Sequence, residues 1–137
     1  MESPAPYKIL HVDDDHVMRL MTKTALSRSS IGFSVESCAS AKEALEKIPS
    51  FSPDILLIDM VMPIMDGIML LQTIRNKEWN FQKIPTVFIT GKEMGIIDER
   101  EKLEPILGII LKPFSPTLLG EDLLNLWKTY HNGIQEK

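Results

Sequence analysis

Apolar residues gather in five short runs along the chain, at 8–12, 33–37, 55–58, 86–89 and 108–111. Four are nearly continuous in apolar residues, as strands covered on both faces require, whereas Phe33-Ser34-Val35-Glu36-Ser37 alternates apolar with polar and suits a sheet edge. The segments between them carry helical spacing. Val17, Leu20, Met21, Thr24 and Ala25 fall on one face of a first helix, and Ala41, Ala44, Leu45 and Ile48 on one face of a second. Ser40-Ala41-Lys42-Glu43 introduces the second as a capping box. Ile68, Leu71 and Ile74 mark a third. Leu119, Leu123, Leu126, Trp127 and Tyr130 mark the last, with Ser115 as N-cap and Pro116 at its first position. Residues 95–107 give the weakest helical pattern, charged from Asp98 to Lys102 and broken by Pro105.

Strand and helix therefore alternate five times, the pattern of a doubly wound parallel α/β sheet with helices on both faces. At 137 residues the chain predicts a single domain. Fifteen Lys plus Arg against nineteen Asp plus Glu give a net charge of −4, which argues against a partner bound through nucleic-acid phosphates. The lone Cys38 can form no internal disulfide, no run approaches the roughly 18 apolar residues that span a bilayer, and the start lacks a signal-peptide core. The expectation is a cytoplasmic protein without membrane contact.

The chemistry sits where the apolar runs stop. Asp13, Asp14 and Asp15 follow the first, Asp59 the third, Thr90-Gly91 the fourth and Lys112-Pro113 the fifth. An open parallel sheet binds its ligands outside the carboxyl ends of its strands. Acids and lysines also follow strands simply because loops are solvated, but here several strand ends supply carboxylates, a hydroxyl and an ammonium to one rim. Crowded carboxylates stay ionised only beside a cation, and hard oxygen ligands favour Mg²⁺, which shares itself with a substrate phosphate. A lysine and a threonine suit phosphoryl oxygens, and an aspartate can be the nucleophile that becomes an aspartyl phosphate.

Four stretches carry a resemblance: Ile9-Leu10-His11-Val12-Asp13-Asp14-Asp15, residues 53–67 with Asp59-Met60-Val61-Met62-Pro63-Ile64-Met65-Asp66-Gly67, residues 84–91 ending Ile89-Thr90-Gly91, and Leu111-Lys112-Pro113-Phe114. Over about residues 6–131 the sequence resembles a response-regulator receiver domain of two-component signalling, here filling the chain as a stand-alone receiver. That resemblance implies a flavodoxin-like sheet of order 2-1-3-4-5, with Asp59 as phosphoacceptor. It implies Mg²⁺ on Asp13, Asp14, Asp59 and the backbone carbonyl of Val61, and phosphoryl contacts from Thr90 and Lys112, with Lys112-Pro113 often cis. A histidine kinase or histidine phosphotransfer protein would be the donor, and a protein partner would read the face built by the fourth helix, last strand and last helix. The chain would then be a signalling receiver rather than an enzyme in the ordinary sense.

Three positions depart from or tune that pattern. Ile109 stands where the family usually has the aromatic switch residue, while Val61 and Lys92 flank the path of a hydrolytic water. Asp15 reads as a helix cap, Asp66-Gly67 as a turn into the third helix, His11 as a buried histidine and His16 as a surface residue. Met60, Met62, Met65 and Met69 divide between core and surface, and Trp79 with Phe81 could form an exposed patch. The enzymatic alternative is a haloacid-dehalogenase-like, Mg²⁺-dependent phosphohydrolase with Asp13 as nucleophile, since Asp13-Asp14-Asp15-His16-Val17 satisfies its D-x-D-x-V opening. It leaves Asp59 without a role and lacks an acidic pair on a strand end after Lys112.

Overall fold

The computed structural model describes residues 8–62, 64–91 and 99–135, with side chains through 133. In chain order the elements are β1 (Lys8–Val12), α1 (His16–Ser27), β2 (Ser34–Cys38), α2 (Ala41–Phe51), β3 (Ile55–Asp59), α3 (Gly67–Asn76), β4 (Thr86–Thr90), α4 (Arg100–Leu103), β5 (Ile106–Leu111) and α5 (Leu119–Gln135). The strands form one sheet in the order β2-β1-β3-β4-β5, parallel throughout. The expected order thus holds.

Side-chain alternation splits the core across the sheet. Leu10, Val12, Leu56, Ile58 and Phe88 face α2 and α3, where Ala44, Ile48, Leu70, Leu71 and Ile74 close over them. Ile9, Val35, Ile55, Leu57, Val87 and Ile89 face the other way, against Leu26, Leu119, Leu123 and Trp127. Each fully buried aliphatic side chain contributes roughly 1.5–3 kcal/mol relative to exposure. Register aligns the strand ends: Val12 lies beside Cys38 and Ile58, Asp59 beside Ile89, and Thr90 beside Leu111. That alignment delivers the polar residues after each strand to one rim.

The helix caps follow local chemistry. Asp15 accepts from the Val17 and Met18 amides at 2.9 and 3.2 Å, and Asp66 from Met69 at 2.9 Å. Ser40 accepts from Glu43 at 3.1 Å, while the Glu43 carboxylate reaches back to the Ala39 amide at 2.9 Å. The box therefore closes one residue earlier than its usual form.

Several expectations are corrected. Of the apolar face read on α1, Ala25 packs against the core but Val17, Leu20 and Met21 are 60%, 61% and 43% exposed, and the fully buried positions are Thr22 and Leu26. The cap at Asp15 fixes where the helix starts, and its four-residue ridge onto the sheet carries a threonine that a hydrophobicity pattern passes over. The second strand runs one residue later, at Ser34–Cys38. Helix α5 begins at Leu119, because Ser115 opens a turn instead, its carbonyl accepting from the Leu118 and Leu119 amides at 3.1 Å. Of residues 95–107, only Arg100–Leu103 is helical among the described residues, and Ile106 already opens β5. Trp79 and Phe81 are no free patch: the indole donates to the Ile74 carbonyl at 3.0 Å, the rings meet edge to face at 5.4 Å, and both pack on the α2–α3 side of the core. Of the four methionines, Met60 and Met62 are buried, whereas Met69 is exposed.

Three described non-glycine residues, Ser52, Ile64 and Glu99, have left-handed φ, and only Ile64 is β-branched. Ile64 follows β3 with φ of 69°, in the left-handed region, and its side chain is wholly exposed. That conformation costs an L-residue about 1–2 kcal/mol, and a β-branched side chain suffers most. Ile64→Asn is therefore expected to raise the unfolding free energy by about 1 kcal/mol, read as a higher urea midpoint at unchanged slope.

Candidate functional site

Asp13 is fixed at almost every polar atom. Leaving β1, its amide donates to the Cys38 carbonyl at 3.0 Å, and its own carbonyl accepts from Arg19 Nη1 at 2.9 Å. Its Oδ1 accepts from the Asp15 amide at 2.9 Å, and Oδ2 lies 3.2 Å from Lys112 Nζ. The carboxylate is fully buried. Asp59 closes β3 with its Oδ1 accepting from the Val61 amide at 3.3 Å and its Oδ2 3.5 Å from the same lysine nitrogen. Asp14 is exposed beside them. One ammonium thus spans two buried carboxylates, and Lys112 is itself held where its amide donates to the Thr90 carbonyl at 2.7 Å. Thr90 ends β4 nearly buried at the same rim. The Lys112-Pro113 bond is cis.

Glycine sets the approach of α3. A Cβ on Gly67 would sit 2.6 Å from the Asp59 carbonyl oxygen, so only glycine lets the helix start so close to the end of β3. A Cβ on Gly108, in β5, would sit 2.8 Å from a methyl of Leu126. Gly91 is different: nothing lies within 4 Å of a Cβ built there, so the space beside Thr90 is open.

Ligand oxygens of Asp13, Asp14 and Asp59 lie within 4.8 Å of one another. Opposite ligands of a Mg²⁺ octahedron are about 4.2 Å apart and adjacent ones about 3 Å, so this all-oxygen set fits one hard cation. Burial, and then the Asp13 charge, push the Asp59 carboxyl up to about 6, with Lys112 pulling the other way. Burial takes His11, beneath Asp13, down to about 4 despite the neighbouring Asp13 charge.

These shifts have opposite effects on stability. Asp59 holds its proton to higher pH when folded, so its contribution falls as pH rises from about 4 to about 6. His11 resists protonation when folded, so its contribution rises between about 4 and 6.5. The two effects oppose each other across this range. With metal chelated, Asp59→Asn removes the falling contribution and leaves the rising one of His11, so its melting temperature is expected to climb more steeply between pH 4 and 6 than that of wild type; two parallel curves would refute this account.

The structure brings Asp13, Asp14, Asp59, Thr90 and Lys112 to one rim, as the sequence led us to expect. Val61 adjoins it, 71% exposed. Ile109 sits in β5 beside Phe88, partly buried against the core. Lys92 lies outside the described residues. Asp15 is the cap already described, and His16 is exposed at the first turn of α1. The sequence reading missed Arg19, although a base one turn after the Asp15 cap was the available signal. Both oxygens of Asp13, like those of Asp59, are engaged, by the Asp15 amide and by Lys112.

A family model described as the response regulator receiver domain matches residues 9–124. The chain is 31% identical over 116 residues to the alkaline phosphatase synthesis transcriptional regulatory protein PhoP of Bacillus subtilis (strain 168), covering 80% of this chain and 43% of that protein. It is 30% identical over 119 residues to the sensor histidine kinase TmoS of Ectopseudomonas mendocina, covering 87% of this chain and 12% of the kinase. The chain thus spans less than half the length of these curated relatives. Among solved structures, the chemotaxis protein CheY4 of Vibrio cholerae superposes with a TM-score of 0.75 at 26% identity, over 89% of this chain and 99% of that one. None of these similarities points to a phosphohydrolase. No helix among the described residues is long and apolar enough to cross a membrane.

Proposed function

The chain belongs to the response regulator receiver domain family, and from that premise we propose that Asp59 accepts a phosphoryl group from a histidine kinase or histidine phosphotransfer protein. Asp13, Asp14 and Asp59, with the Val61 carbonyl, would hold Mg²⁺. The observation that carries the reading is Lys112 Nζ standing 3.2 Å from Asp13 and 3.5 Å from Asp59 within a cluster of three carboxylates. Bound there, Mg²⁺ supplies positive charge to the phosphoryl oxygens and lowers the repulsion that protonates Asp59.

The protein's own groups do the rest. Asp59 supplies the attacking oxygen; the phosphorus–nitrogen bond of a phosphohistidine breaks, and the imidazole leaves with its electron pair. Asp13, fixed at four atoms, holds the rim rigid. Lys112, whose Nζ stands between Asp13 and Asp59, is within reach of the transferred group and would turn to one of its oxygens as charge builds up there. Thr90, at the end of the adjacent strand, donates its hydroxyl to another phosphoryl oxygen.

The output surface is the α4–β5–α5 face; on its β5–α5 part a groove of about 590 Å³ is lined by Ile109, Leu111, Phe114, Leu118, Asp122 and Leu126. Isoleucine in place of an aromatic at 109 removes the ring that would swing inward with Thr90, so the change read on this face is smaller than the family's usual one. A protein of this kind acts inside the cytoplasm, where its donors are.

The test is intact-mass spectrometry after exposure to acetyl phosphate with Mg²⁺. One added phosphoryl group, absent when the metal is chelated, supports the reading; no adduct under any condition overturns it. The lifetime of that adduct depends on Val61, whose exposed apolar side chain offers a hydrolytic water no hydrogen bond. Val61→Asn is expected to shorten the phosphoryl half-life several-fold at fixed Mg²⁺, and an unchanged half-life would refute that role.

A further inference from the structure

His11 is a buried histidine that the phosphoryl chemistry leaves unused. It is fully buried in β1, and neither ring nitrogen has a hydrogen-bond partner among the described residues. The Ser37 hydroxyl oxygen is likewise buried and unpartnered. Orphaned buried polar atoms are costly, so three on two neighbouring residues call for a reason.

Their placement supplies it. Ile9 and Val35 are register partners and both pack on the α1–α5 side of the sheet. His11 and Ser37 are register partners two residues further along, so alternation puts them side by side on that same face. At the other end of the ring, Nε2 lies 3.8 Å from Asp13 Oδ2, the oxygen that Lys112 contacts at 3.2 Å. His11 therefore neighbours Ser37 across the sheet and Asp13 at the rim.

We infer that His11 is a positioning residue for Asp13, with the unpartnered Ser37 hydroxyl turning to donate to Nδ1 so that Nε2–H faces the Asp13 carboxylate. This rests on the receiver reading above. A neutral imidazole has one N–H and one lone pair, and a donor on Nδ1 leaves the proton on Nε2. At 3.8 Å that N–H stands just outside hydrogen-bond range of Oδ2. When Lys112 turns to a phosphoryl oxygen, Oδ2 loses its partner, and the histidine N–H moves in to replace it. No bond is made or broken; a hydrogen bond passes from lysine to histidine, and the carboxylate keeps its orientation toward the metal. The buried ring is then a standing second donor to Asp13, whose orientation tunes metal binding.

Two measurements test this on the full chain. In ¹⁵N spectra of the histidine-labelled, metal-free protein at neutral pH, the His11 signal is expected to show unprotonated Nδ1 and protonated Nε2. Ser37→Ala should shift its Nδ1 resonance; an Nδ1–H tautomer overturns the inference. Mg²⁺ titration should then show about tenfold weaker binding in His11→Val, with His11→Gln, which keeps an N–H at similar reach, restoring most of it. Equal affinities in wild type and His11→Val also overturn it, while the receiver reading survives. No Mg²⁺ binding by wild type would sink the receiver's metal site and this inference together. Should His11→Val fail to fold, the tautomer measurement and His11→Gln still decide the matter.

Discussion

Asp59→Asn is expected to remove the phosphoryl adduct altogether, while Asp13→Asn is expected to keep it on Asp59 at a reduced rate. The asymmetry follows from what each carboxylate does. An amide at 59 has no nucleophilic oxygen, so no aspartyl phosphate forms however well metal and lysine are placed. An amide at 13 keeps an oxygen able to accept from the Asp15 amide, but it loses the charge opposite Lys112 and one metal ligand. Losing one preorganised charge of this kind costs about 10²–10³ in rate, which leaves labelling measurable at long exposure. Mass spectrometry with peptide mapping reads both variants. A phosphohydrolase using Asp13 would give the reverse pattern with turnover of a phosphate ester, and that outcome would reassign the nucleophile.

Arg75→Ala is expected to destabilise the fold by about 3–5 kcal/mol, a large share of the 5–15 kcal/mol typical of a domain. Arg75 is nearly buried, and its hydrogen-bond acceptors are neutral oxygens. Nε donates to the Leu103 carbonyl at 2.9 Å, Nη1 to Gln82 at 2.8 Å, and Nη2 to Pro105 at 3.1 Å and Thr86 Oγ1 at 3.2 Å. It joins the end of α3 to the end of α4 and to the starts of β4 and β5. Burial brings its pKa down to about 10, with Glu104 opposing, so the guanidinium stays charged at neutral pH. Alanine would leave a cavity and unpaired carbonyl groups together. Arg75→Lys is expected to recover only a minor part, because one ammonium cannot span four acceptors. Urea unfolding at constant slope measures both, and a loss under about 1 kcal/mol for Arg75→Ala would show that water replaces these contacts.

Arg75 marks the limit of what the sequence discloses. Strand positions were legible because parallel strands buried on both faces must be apolar along their length, and the site was legible because its polar residues directly follow those runs. Asp13, Asp14, Asp59, Thr90 and Lys112 all declare themselves in this way. A basic residue in α3 looks like any solvated helix position until the loops it reaches are folded around it. Arg19 was hidden likewise, since its partner is a backbone carbonyl. The outward face of α1 misled for a related reason: Val17, Leu20 and Met21 form a good apolar stripe, but helix phase is set by the Asp15 cap and by which ridge fits the sheet. The short α4 escaped periodicity because four residues make barely one turn.

Gly67 and Gly108 differ in what genetics could do about them. At Gly108 the obstacle is a methyl of Leu126, so a second substitution that trims Leu126 could rescue an added side chain. At Gly67 the nearest obstacle is the carbonyl oxygen of Asp59 itself, an atom common to all twenty residues that no codon change can remove. A suppressor screen should therefore return compensating partners for position 108 and none at the contact itself for position 67. Residue 67 is held to one letter by main chain alone, and the phosphoacceptor's own backbone enforces it.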